Sequence, residues 1–96
     1  MSIVAQADFL ITYLNYADLK YGLNSVEMQV ITFELSEIIS RFEEIIDKIK
    51  RFKVISIFKK KDRIGLIIEF ENIQRFMIIK FVNIGSNIYE FYIIVI

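Results

Sequence analysis

Apolar positions along this chain change their period once, near residue 53. Before that point they recur every three or four residues, as on one face of a helix; after it they fall in short runs broken by turn residues, as in strands. Ile3, Ala7, Leu10, Leu14, Ala17 and Tyr21 step by four and three, which predicts a first helix over about residues 3–21. Gly22 follows directly and can take the left-handed conformation that ends a helix. Asn24 or Ser25 can then cap a second helix, and Asn24 has Glu27 three residues on.

The second predicted helix, about 25–52, carries Met28, Ile31, Leu35, Ile38, Phe42, Ile45, Ile49 and Phe52 on one stripe. Glu27, Glu34 and Glu37 lie toward its start and Lys48, Lys50, Arg51 and Lys53 toward its end, a distribution that complements the helix dipole. With so short a connection the two helices should form an antiparallel hairpin. A helix of that length would run roughly 40 Å, against about 30 Å for a nine-residue strand. It should overhang its own sheet, its stripe serving as a core face or as a heptad seam shared with a second chain.

From Val54 the runs VISIF, IGLIIEF, IQRFMIIKFV and IYEFYIIVI are separated by KKKDR, EN and NIGSN. They predict a four-stranded antiparallel meander with strands at about 54–59, 64–71, 73–82 and 88–96. Residues 72–82 also admit a helix, because a short apolar run is ambiguous by period alone. The expected fold is therefore α+β, an N-terminal helical hairpin packed on a C-terminal four-stranded meander (ααββββ), in a single domain spanning 1–96.

Strand alternation then exposes a surplus. Ile64, Leu66, Ile68 and Phe70 share one face of the second strand, and Tyr89, Phe91, Ile93 and Val95 one face of the fourth, so that side is core. The opposite face should be polar if it met only water. It collects Ile67, Phe76, Ile78, Tyr92, Ile94 and Ile96 instead. Two helices in a short hairpin cover a single face of a small sheet, which leaves this second face in need of a cover. Contiguous apolar surface of several hundred Å² usually signals association, so the expected state is a homodimer, with a heterologous protein as the other possible occupant.

Composition narrows the chemistry. The chain has no cysteine, histidine, tryptophan or proline, which excludes disulfide frameworks, thiolate nucleophiles and Cys/His metal sites. No phosphate-cradling glycine pattern occurs among its three glycines. Glu43, Glu44 and Asp47 stand at helical spacing, a pattern read here as a solvated helix face rather than a cation site. No cofactor and no enzymatic activity are expected. No uncharged run is long enough to span a membrane and no signal peptide is evident at the start, so the expected location is the cytoplasm and no membrane partner is expected. Isoleucine is the commonest residue, with Lys, Asn, Tyr and Phe also frequent, the bias of an AT-rich genome. Size and composition fit a small accessory or inhibitor protein of a virus or mobile element.

Charge supplies the rival reading. Residues 48–63 hold eight basic residues and one acidic residue in a chain of zero net charge. Lys59, Lys60, Lys61 and Arg63 could form the wing tip of a winged-helix-like DNA-binding regulator, with the second helix as reader. Phosphate contact needs only clustered Lys and Arg, which makes the signal nonspecific. Six acidic residues between Glu27 and Asp47 would repel phosphate along that reader. About 20–26 Å of extended chain should also separate Lys48–Lys53 from Lys59–Arg63. Nucleic acid is therefore the alternative partner, and protein association the leading one.

Overall fold

A three-residue turn at 60–62 and a two-residue turn at 71–72, set between β-branched runs, fold the C-terminal half into hairpins, and these set the frame of the molecule. The computed structural model describes residues 10–15, 24–31, 35–85 and 88–96, with the backbone alone for 24–31 and 35. Strands β2 (Lys53–Lys59), β3 (Arg63–Phe70), β4 (Ile73–Gly85) and β5 (Ile88–Val95) form the predicted antiparallel meander. Residues 73–82 are strand throughout, which resolves their ambiguity.

A fifth strand, β1 (Asn24–Ile31), adds to β5 in antiparallel register and gives the order β1-β5-β4-β3-β2. This corrects the helix predicted over 25–52 and, with it, the helical hairpin. SVEMQVI alternates Ser25, Glu27 and Gln29 with Val26, Met28 and Val30, a period of two as well as a piece of the longer helical stripe. Pairing with the edge of β5 puts eight residues in ladder register and satisfies the backbone groups that face β5, and strand wins. Helix survives only in the later half, as α2 (Leu35–Ser40), α3 (Phe42–Ile45) and a 3₁₀ turn at Ile46–Lys48. The overhanging forty-ångström helix and its heptad seam are absent. Of the first predicted helix, residues 10–15 are helical and form α1; the rest, with Gly22, lies outside the described residues.

The retained part of the stripe does bury itself. Ile38, Ile39, Phe42, Ile49 and Phe52 pack with Leu10, Ile11 and Leu14 of α1 against Ile64, Leu66, Ile68, Met77, Ile79, Phe81, Phe91, Ile93 and Val95 of the sheet. Tyr13 meets Phe91 edge-on, ring centroids 5.9 Å apart, which sets α1 over β5. Asn15 fastens α1 to the chain entering β2. Its Oδ1 accepts from the amides of Lys50 (2.9 Å) and Arg51 (3.3 Å), and its Nδ2 donates to the Lys48 carbonyl (3.3 Å). These contacts put the described helices on one face of the sheet; no described helix lies on the other, called here the open face.

The β3–β4 turn is strained in an informative way. Glu71 and Asn72 both have positive φ, 52° and 64°, the pattern of a tight hairpin turn whose twist matches the strands. Asn tolerates this conformation and Glu does not, by roughly 1 kcal/mol. The double substitution Glu71→Asn with Asn72→Gly should therefore raise stability by about 1 kcal/mol, read as a higher urea midpoint at unchanged slope. An unchanged or lower midpoint would show that the turn is not of this type.

Candidate interaction surface

Register places all six residues singled out in the sequence on the open face. Ile67 lies opposite Phe76, and Phe76 exchanges backbone hydrogen bonds with Ile96 (2.9 and 3.3 Å), forming one row across the sheet. The next row runs Phe58, Gly65, Ile78, Ile94 through β2, β3, β4 and β5. A third holds Arg63, Lys80 and Tyr92. Phe58, Phe76 and Ile96 are 52%, 38% and 61% exposed, while Ile67, Ile78, Tyr92 and Ile94 are half-buried by their neighbours. The two central rows are thus a continuous apolar strip of exposed and half-buried side chains.

Gly65 organises its middle. A Cβ there would stand 3.3 Å from Cζ of Phe76 and 3.7 Å from Cβ of Phe58, so the Phe76 ring occupies space that any larger residue would contest. The glycine is buried because an aromatic ring covers it. Phe58 is not among the residues singled out from the sequence, where no face is assigned within β2; the strand also carries a register shift between Val54 and Ser56. Val54 pairs with Ile68 of the core face, whereas Phe58 pairs with Gly65 of the open one, although the two are four residues apart.

The strip ends in charge at both extremities. Beyond Ile67 comes Glu69, paired with Gln74 and Lys53; beyond Gly65 comes Arg63, paired with Lys80. Arg63 also binds Asp62 through Nε (3.1 Å) and Nη2 (3.3 Å), which holds that carboxyl below the usual range, with Lys80 adding to the effect. At the far corner the Tyr92 hydroxyl donates to Glu90 at 2.7 Å.

The basic residues are divided among several tasks. Lys59 Nζ donates to the Glu43 carboxylate at 2.7 Å, and that hydrogen bond is the main reason the Glu43 pKa is lowered. The contribution of this exposed pair is in place above the ordinary glutamate range and is lost as pH falls through the lowered pKa. Lys60 and Lys61 are exposed at the turn. At the other end of β2, Arg51 lies 5.5 Å from the ring centre of Phe70 and donates to the Asn15 carbonyl at 3.4 Å. The seven residues of β2 hold the two clusters about 20 Å apart. The helix that would have read bases is broken into pieces of six and four residues.

An open cleft of about 460 Å³ is lined, among the described residues, by Thr12, Asn15, Lys50 and Arg51. Among the described residues no helix is long and apolar enough to cross a membrane. Comparison of the chain with protein-family models, with curated proteins and with solved structures gave no match.

Proposed function

We propose that this chain is a non-enzymatic protein-interaction module that associates with a second copy of itself through the open face of its sheet. The observation that carries the proposal is the unbroken apolar strip from Ile67, Phe76 and Ile96 to Phe58, Ile78 and Ile94 on the side away from the described helices. Strands spaced about 4.8 Å apart make a five-stranded face about 20 Å wide and 25 Å long, on the order of 500 Å² in projection. Two such faces bring together about 1,000 Å², the lower bound of a specific interface. Phe58, Phe76 and Tyr92 supply the large anchors that interface centres use.

Pairing through the β2 edge is the competing mode, and β2 is built against it. Its ladder is interrupted by a bulge at Ile55, and Lys53 and Lys59–Lys61 flank it with like charge. A second copy laid alongside would bring those lysines together. Stacking face to face avoids both obstacles.

Molar mass in solution tests the proposal. Light scattering at micromolar concentration should give twice the 11.4 kDa of one chain. A monomer persisting to near-millimolar concentration would remove self-association and leave a heterologous protein as occupant. Binding to random duplex DNA should be weak, with a small salt slope, because Lys59 and Arg63 are already engaged with carboxylates. Submicromolar binding near physiological salt, abolished by changing Lys59, Lys60, Lys61 and Arg63 to Ala, would promote the nucleic-acid reading instead.

A further inference from the structure

We infer that the second copy sits on this face about a two-fold axis running across the strands, so that Glu69 of each chain meets Arg63 and Lys80 of the other. The inference rests on the self-association proposed above and specifies its geometry. Four successive rows of the open face are Glu69–Gln74, Ile67–Phe76–Ile96, Gly65–Ile78–Ile94 and Arg63–Lys80–Tyr92. The first carries Glu69 on β3 beside Lys53 on β2, the two central rows are apolar on β3, β4 and β5, and the last is basic on β3 and β4, with Glu27 of β1 in register with Tyr92 at its far end.

Sheets stacked in an aligned packing leave two in-plane choices of axis. An axis along the strands returns every row to its own level. Centred on β4 it would set Lys80 against the partner's Lys80, with Arg63 of both chains close by. An axis across the strands, midway between the two apolar rows, exchanges the first row with the fourth and the second with the third. Phe76 then faces the partner's Ile78, Ile96 faces the partner's Ile94, and Ile67 faces the partner's Gly65, which has no side chain of its own. Glu69 comes opposite the partner's Arg63, with Lys80 one strand away, about 5 Å.

The pattern is polarised along the strands and therefore self-complementary only in this second arrangement. Aligned sheets cross at about 30°, which displaces their margins but moves β3 and β4 little near the axis. Lys53 would come near the partner's Lys60 at the β2 margin. Both are exposed there, and solvent and salt weaken their repulsion. Since Asp62 already shares the charge of Arg63, Lys80 carries much of the attraction.

A mixing experiment decides the point. Glu69→Lys sets like charges together at both ends of the homodimer, and so does Lys80→Glu. Each variant alone should dissociate at about tenfold lower dilution than the native chain at low ionic strength. In an equimolar mixture, one contact pairs the new lysine with the new glutamate and the other restores the native pair. Heterodimers should therefore form with nearly native affinity, measured by sedimentation with one variant fluorescently labelled. Singles as tight as the native dimer, or a mixture no tighter than the singles, would overturn the axis while leaving the dimer in place. A monomeric native chain would instead sink the self-association itself. If Lys80→Glu fails to fold, judged by circular dichroism, Arg63→Glu replaces it, since Arg63 lies directly opposite Glu69 in this arrangement.

Discussion

Phe42→Ala should lower the stability of the fold by about 3–5 kcal/mol, the upper range for removal of a buried ring. Phe42 is wholly buried at the start of α3 and packs in the single cluster that joins helices to sheet. The pieces around it are short: α2 has six residues and α3 four, too few to be stable as isolated helices. They are held by what they bury, and Phe42 is the largest side chain they bury completely. Collapse into the vacated space is limited because Ile38 and Ile39 already pack on the same cluster. A domain of this size has a total stability of about 5–15 kcal/mol, so the variant should stand near its unfolding threshold. Urea denaturation followed by circular dichroism measures this directly. A loss below about 1 kcal/mol would mean that the helices add little to the core.

The four C-terminal strands were legible because their determinants are local. Each is bounded by a turn whose residues can be read in sequence: KKKDR, EN and the segment following Val82. The turns fix strand parity, parity fixes the face, and the open face of β3, β4 and β5 could be written down residue by residue. β1 was not legible, because its decisive interaction is with β5, more than fifty residues away. Met28 and Ile31 fit the helical stripe that continues through Ile38 and Phe42, so periodicity alone extended the helix backward over a strand. Local pattern could not weigh eight ladder positions against eight helical ones; the unpaired edge of β5 does.

Phe58 shows the same limit on a smaller scale. Counting by twos from Val54 puts Phe58 in the core, and only the bulge at Ile55 turns it outward. A bulge leaves no composition signal comparable to Gly or Pro at a turn. Phe58, more exposed than Phe76, thus joins the candidate surface only through the structure.

Ile94→Glu should dissociate the dimer while leaving each chain folded. Ile94 lies on β5 at the middle of the open face, opposite Ile78, and is half-buried within its own chain. In the monomer a carboxylate at this site can reach water, since no described helix lies on this side, and the cost to folding is small. In the dimer the same carboxylate is enclosed between two apolar strips with Ile78 and Ile96 for neighbours. The nearest cations of the proposed arrangement, Arg63 and Lys80, lie at the end of the strip. An unpaired charge so placed costs several kcal/mol, which lowers affinity at least about a hundredfold. Ile38→Glu provides the contrast: Ile38 is 5% exposed on the helix side, and a charge there should unfold the chain, with loss of the dimer following as a consequence. Circular dichroism and light scattering on the two variants separate the outcomes. A folded monomer from Ile94→Glu and an unfolded chain from Ile38→Glu assign association to the sheet. A folded dimer from Ile94→Glu takes association away from the apolar strip, because stacking centred on that strip encloses the middle of β5.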